Sequence, residues 1–268
     1  MTDKRAALEQ VLDDLAAESE ALDAIVSDLD DDQWHLPTPA EGWTIAHQVA
    51  HLAWTDHVAA LAATDKEGWD AAVLEAMADP TGFVDACAEE WAERPRAELL
   101  ETWRTGRARL REVLLAHPEG EKVPWFGPPM SPTSMGSARF METWAHGRDV
   151  VDALGILVGP TDRIRHVVHI GTRTRDFAYT VHGRTPPAEP FRFELVAPSG
   201  EVWTHGPEDA AQRVIGSAHD FCLLVTQRRH PEMLDLVADG EDAAEWMTIA
   251  QAFAGPAGSG RPGPGADR

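Results

Sequence analysis

Glu142 and His146 stand four residues apart in the run Glu142-Thr143-Trp144-Ala145-His146. A carboxylate and an imidazole at that spacing stack on one face of a helix, with about 5–6 Å between their Cβ atoms, so both can reach one divalent cation. Ala138, Ala145, Asp149 and Ala153 share the face, and the small residues leave room beside the pair. A second candidate stretch holds His47 and His51, one turn apart among Ile45, Val49, Ala50, Leu52 and Trp54. An imidazole buried among such neighbours costs roughly a few kcal/mol unless it finds a partner. Two imidazoles and one carboxylate around an ion leave coordination positions open for water or substrate. The spacing by itself leaves plainer alternatives standing. A Glu-x3-His pair is more often a surface ion pair or a capping interaction.

The elements that must position these residues are mostly helical. Apolar residues from Leu8 to Leu29 recur at three- and four-residue steps, predicting an amphipathic helix over Ala6 to Leu29. Thr44 is the expected N-cap of a helix reaching about Leu61, and a helical region is expected over Glu67 to Trp91, then a helix over Arg96 to His117. The breaker-rich run Val123 to Met130 predicts an irregular loop. Ser131 followed by Pro132 caps a helix that carries Glu142 and His146 as far as Leu154, where Gly155 stops it. A fifth helix is expected over Thr161 to His182, followed by a proline-rich linker.

Beyond the linker the pattern changes. Phe191 to Val196 alternates with period two, and Ser199-Gly200 turns the chain back into Glu201 to Thr204, which predicts a β-hairpin. A helix from Pro207 to Arg228, a strand over Met233 to Val237 and a helix from Glu241 to Phe253 complete the expected small α/β unit. The expected domains are therefore a helical metal-binding domain over 1–183, an α/β domain over 190–255 and a disordered Gly/Pro-rich tail over 256–268.

Composition narrows the function classes. The 268 residues carry 43 % hydrophobic and 25 % charged residues, ordinary values for a globular chain. The formal charge of −22 is not ordinary, and it argues against nucleic-acid and anionic-membrane partners. The two cysteines, Cys87 and Cys222, form no CxxC or Cys/His cluster. Without a leader-like apolar segment or a membrane-length apolar run, a cytoplasmic protein is the expectation, as monomer or homodimer.

Two segments carry a family resemblance. Gly42-Trp43-Thr44-Ile45-Ala46-His47-Gln48-Val49-Ala50-His51-Leu52-Ala53-Trp54 and Met141-Glu142-Thr143-Trp144-Ala145-His146-Gly147-Arg148-Asp149-Val150 resemble the two metal motifs of the mycothiol-dependent maleylpyruvate isomerase family, within the DinB-like metalloproteins. Trp203, the run Gly206 to Ala211 and the run Leu223 to Arg228 resemble that family's C-terminal α/β domain, so the likeness covers nearly the whole chain. The longer stretch Ala62 to Glu93 and the loop Trp125 to Ser134 resemble an actinobacterial subgroup of metal-binding proteins. The resemblance implies a mainly α fold: a DinB-like four-helix bundle followed by a small, sterol-carrier-like α/β domain. It implies that His51, Glu142 and His146 hold the ion, with zinc the leading metal and nickel, manganese or iron as others. It does not assign His47, which stands as a residue supporting the ligands from behind, an acid/base candidate or a packed core histidine, the last two foremost.

The implied chemistry is a mycothiol-dependent isomerase or transferase acting on a small electrophilic substrate. A divalent ion favours the deprotonated thiol. An anionic substrate in so acidic a chain needs a cation, for which Arg228, Arg173 and Arg148 are candidates, Arg228 foremost. Two other readings stand beside it. One is a hydrolase in which His47 or Asp149 is the base, and the other is a non-catalytic small-ligand-binding protein with a structural metal. Trp125, Phe126 and Met130 are candidates for an apolar lid, Asp149 for a carboxylate behind His146, and His166, His169 and Arg173 for a shared helix face.

Overall fold

The computed structural model describes residues 2–258, 260 and 261. Residues 259 and 262–268, most of the tail expected to be disordered, lie outside the described residues. The chain forms two compact units, Met1–Ile156 and Leu157–Arg268.

The first unit is a bundle of four long helices: α1 (Thr2–Ser27), α3 (Ile45–Thr64), α6 (Arg96–Ala116) and α7 (Pro132–Leu154). A short α2 (Asp31–Trp34) joins α1 to α3, and α4 (Lys66–Ala78) and α5 (Phe83–Ala92) lie between α3 and α6. The stripe Leu8, Val11, Leu12, Leu15, Leu22 and Val26 is buried, as its spacing predicts. Helix α3 is buried nearly all round, from Ile45 through Ala62, and so occupies the centre of the bundle. It packs on α6, α5 and α7, while α1 packs on α7. Trp103, Phe140 and Trp144, each at most 2 % exposed, anchor the core. Each stabilises the fold by about 1.5–3 kcal/mol through burial alone. Gly136 lets α1 and α7 approach closely, since a Cβ there would meet Val11 at 3.1 Å.

The local signals at the ends of α7 act as expected. The Ser131 side chain accepts a hydrogen bond from the Ser134 backbone N–H at 3.1 Å, and Gly155 ends the helix at φ +65°. The helical region expected over Glu67 to Trp91 is two helices. The Asp79 carboxylate accepts from the Gly82 backbone N–H at 2.9 Å, and Pro80 cannot continue the ladder.

In the second unit the expected fifth helix is likewise divided, into a 3-10 turn (Asp162–Ile164), α8 (Arg165–Arg173) and α9 (Arg175–Val181). Helix α8 packs on α10 (Ala218–Val225), and both belong to this unit, which begins at Leu157, whereas the expected boundary lay further along, at the proline-rich linker. A four-stranded sheet has the order β2-β1-β3-β4, with β1 (Phe191–Val196), β2 (Val202–His205), β3 (Gln212–Ser217) and β4 (Leu236–Asp239). The hairpin β1–β2 is antiparallel, β3 is parallel to β1, and β4 is antiparallel to β3. Strand β3 corrects the expected helix from Pro207. Val214 is fully buried in the sheet, and Gly216 sits at φ +154°, where a Cβ would meet the Asp235 carbonyl at 2.5 Å. The helix starts only after Ser217, whose hydroxyl accepts from the Asp220 backbone N–H. Helix α11 (Glu241–Met247) closes the unit, with Trp246 packed edge-on against Phe193 at 5.5 Å between centroids.

Candidate metal centre

Helix α3 delivers His51 and helix α7 delivers Glu142 and His146 to one point of the first unit. One donor atom from each lies within 4.8 Å of the others, and among the described residues no other group of three His, Cys, Asp or Glu converges in this way. Glu142 Oε2 is 3.1 Å from His146 Nε2 and 3.5 Å from His51 Nε2. The two imidazole rings are 4.5 Å apart between centroids. His51 is buried, and the other two are half-buried.

The carboxylate of the group is held in its charged form. Burial would push the Glu142 carboxyl up, but hydrogen bonds and charge from His146 and His51 outweigh it and hold the group well below the usual carboxylate range. No lysine or arginine pairs with this carboxylate among the described residues. The Nδ1 of His51 is buried and has no hydrogen-bond partner among the described residues. Two imidazole nitrogens and a carboxylate are a donor set that fits zinc, nickel, manganese or iron and leaves positions open.

Trp43 roofs the donors. Its ring lies parallel to His146 at 5.8 Å and tilted on His51 at 5.3 Å, and its Nε1–H donates to Asp85 of α5 at 3.0 Å. His47 is placed apart from the three donors. Its Nδ1 accepts from the Thr44 backbone N–H at 3.2 Å, capping α3, and its Nε2 bonds Glu89 of α5 at 2.6 Å. Helix α5 is thus tied to the site twice. Asp149 is 1 % exposed, and its carboxylate lies 4.0 Å from His146 Nδ1.

An aromatic wall adjoins the centre. Trp54 lies 6.0 Å from His51 and meets Phe83 at 5.3 Å, and Phe126 meets Trp69 at 4.9 Å and Phe83 at 5.5 Å. Trp125 and Phe126, expected in a lid, both belong to this wall. Two backbone bonds between Val123 and Met130, of 2.8 and 3.0 Å, close the loop that carries them. Burial pushes the Cys222 thiol well above its ordinary value, and burial with Glu90 and Glu75 nearby pushes Cys87 up to about 11.

Arg148 stays on α7 in the first unit, its guanidinium 5.7 Å from the Trp144 ring centroid, and the remaining candidates lie in the second unit. Arg228, three residues beyond α10, is buried and donates to the Thr226 carbonyl at 2.8 Å. His166 and His169 of α8 line a groove of about 520 Å³ with Trp203 and His205 of β2. Burial lowers both His169 and His205, with Arg173 adding to the first and His169 to the second.

A profile described as the mycothiol maleylpyruvate isomerase N-terminal domain matches residues 15–151, the span that holds all three donors. The chain belongs to this family. A second profile, described as wyosine base formation, matches residues 187–239. Two uncharacterized proteins of Mycobacterium tuberculosis, from strains CDC 1551 / Oshkosh and H37Rv, are each 60 % identical over 248 residues, 92 % of this chain and 96 % of theirs. Among solved structures, the mycothiol-dependent maleylpyruvate isomerase matches with a TM-score of 0.52 at 18 % identity, covering 81 % of this chain and 88 % of that one. A histidine-to-alanine mutant of that enzyme matches with a TM-score of 0.51 over the same shares. These likenesses establish the fold expected from the motifs, a mainly α, DinB-like bundle followed by a small α/β unit.

Sequence reasoning gave no role to Gln48, Trp43, Asp85 or Glu89. A signal for Gln48 was present: it is an amide on the apolar helix α3, one turn before His51, and it is fully buried. The α5 residues had no such signal, because their roles depend on where an exposed helix docks.

Proposed function

We propose that this chain is a metal-dependent, mycothiol-using isomerase or transferase that acts on a small electrophilic substrate. The observation that carries the proposal is the convergence of His51, Glu142 and His146 within 4.8 Å. Family membership supports it, as do the solved relatives named for mycothiol dependence and for maleylpyruvate isomerisation. A divalent ion there supplies Lewis acidity and favours a thiolate over a thiol.

The chain's own residues do the rest. His51, Glu142 and His146 hold three positions and leave others open. Trp43 packs over both imidazoles and limits the rotamers they can adopt. The wall of Trp54, Phe83 and Phe126 lowers the local polarity beside His51. His47, paired with Glu89, is the proposed proton carrier, and Arg228 is the proposed cation for an anionic substrate.

The test is turnover of an electrophile such as maleylpyruvate, with mycothiol present or absent and with or without a chelator. Activity that needs both thiol and metal supports the proposal. Activity indifferent to thiol removes the cofactor claim, and hydrolysis of esters or amides without thiol replaces it with a metal-activated water. Metal binding with no turnover of any electrophile leaves a ligand-binding protein with a structural ion.

A further inference from the structure

A directed chain of hydrogen bonds runs from the loop before α3 to the centre. The Trp43 carbonyl oxygen can only accept, and the Thr38 hydroxyl donates to it at 2.9 Å. With its single hydrogen committed, the Thr38 oxygen must accept from its other neighbour, the Gln48 amide, whose Nε2 lies 2.8 Å away. That fixes which way the amide faces. Gln48 Oε1 is left pointing at His146 Nδ1, at 2.5 Å, where an amide oxygen can only accept. His146 Nδ1 therefore carries a proton, and the Asp149 carboxylate 4.0 Å from the same nitrogen favours it there.

We propose that Gln48 is a positioning residue that fixes the tautomer of His146 and so presents its Nε2 lone pair to the divalent ion. The proposal rests on the metal reading above. It adds a consequence of its own: the polarity of the site is set by a carbonyl outside it, relayed through Thr38. The arrangement is rigid at each link. Gln48 is fully buried on α3, and Thr38 is 9 % exposed and held by a second bond, its backbone N–H to the Trp43 carbonyl at 2.8 Å. His51 has no equivalent among the described residues, where its Nδ1 has no partner, so the two imidazoles are not equally prepared for a ligand role.

The experiment measures zinc affinity by competition with a chromophoric chelator, together with the ¹⁵N shifts of His146 in the zinc-loaded full chain. Wild type is expected to show Nδ1 protonated and Nε2 bound to metal. Gln48→Leu, which keeps the volume and removes the acceptor, is expected to bind zinc about 10- to 100-fold more weakly. Gln48→Glu, which keeps an acceptor oxygen at that point, is expected to stay close to wild type. Thr38→Val leaves the amide in place but removes the link that orients it, so it is expected to weaken zinc binding in a chain that stays folded, with a lowered melting temperature from the lost buried hydrogen bonds. It carries the test if Gln48→Leu does not fold. Metal bound through Nδ1 in wild type, or undiminished zinc affinity in folded Gln48→Leu or Thr38→Val, overturns the proposal while the metal reading stands. A wild-type chain that takes up no ion removes both.

Discussion

Arg139 and Asp56 form a buried ion pair between α7 and α3, with Nε 2.9 Å from Oδ1 and each side chain at most 3 % exposed. Arg139 lies one turn before Glu142, and its Nη2 also donates to Thr55 Oγ1, which in turn donates to the His51 carbonyl at 2.6 Å. The pair joins the two helices that carry the three proposed metal ligands, about one turn from them. Burial raises the Asp56 carboxyl, with Arg139 opposing.

Breaking that pair should be costly. Arg139→Met leaves a carboxylate uncompensated in the core and is expected to cost about 3–5 kcal/mol in chemical denaturation. Asp56→Leu on the same background should recover much of it. A double variant no more stable than Arg139→Met contradicts the assignment.

Asp23 supplies a pH-dependent term elsewhere in the bundle. Burial pushes it up, but hydrogen bonds from Arg104 and Ser27 and the charges of Arg107 and Arg104 outweigh burial and hold it at about 2. A carboxyl lowered by folding stabilises the protein above its ordinary value of 3.8, and that stability is lost as pH falls from there towards about 2. Asp23→Asn is expected to cost about 1–2 kcal/mol at neutral pH, reduced because Arg104 is partly exposed. The difference from wild type should shrink through the acid range. An equal cost at every pH denies Asp23 this role.

Trp43→Phe keeps a ring near both imidazoles but removes the Nε1 bond to Asp85. Amide hydrogens of α5 should exchange faster, with a stability loss of about 1 kcal/mol. Unchanged exchange in α5 indicates that Glu89 and His47 suffice to hold it.

Much of this molecule was legible in its sequence because the signals were local. The Ser131-Pro132 start and Gly155 stop placed α7, and the four-residue spacing placed Glu142 and His146 on one face. The meeting of His51 with that pair rested on the family resemblance, since spacing along one helix says nothing about its neighbour. Strand β3 was misread as helix because Gln212–Ser217 has no strong alternation, and its pairing with β1 is a tertiary effect. Gln48 went unread for a related reason: its acceptor role appears only when Thr38 and His146 are brought to its two ends.

The most direct test of the account is metal analysis of the purified full-length chain beside His51→Ala and Glu142→Ala. About one divalent ion per wild-type chain is expected, and loss of that ion in both variants while their helical circular dichroism persists. Equal metal content in wild type and variants, or no ion in wild type after zinc loading, contradicts it.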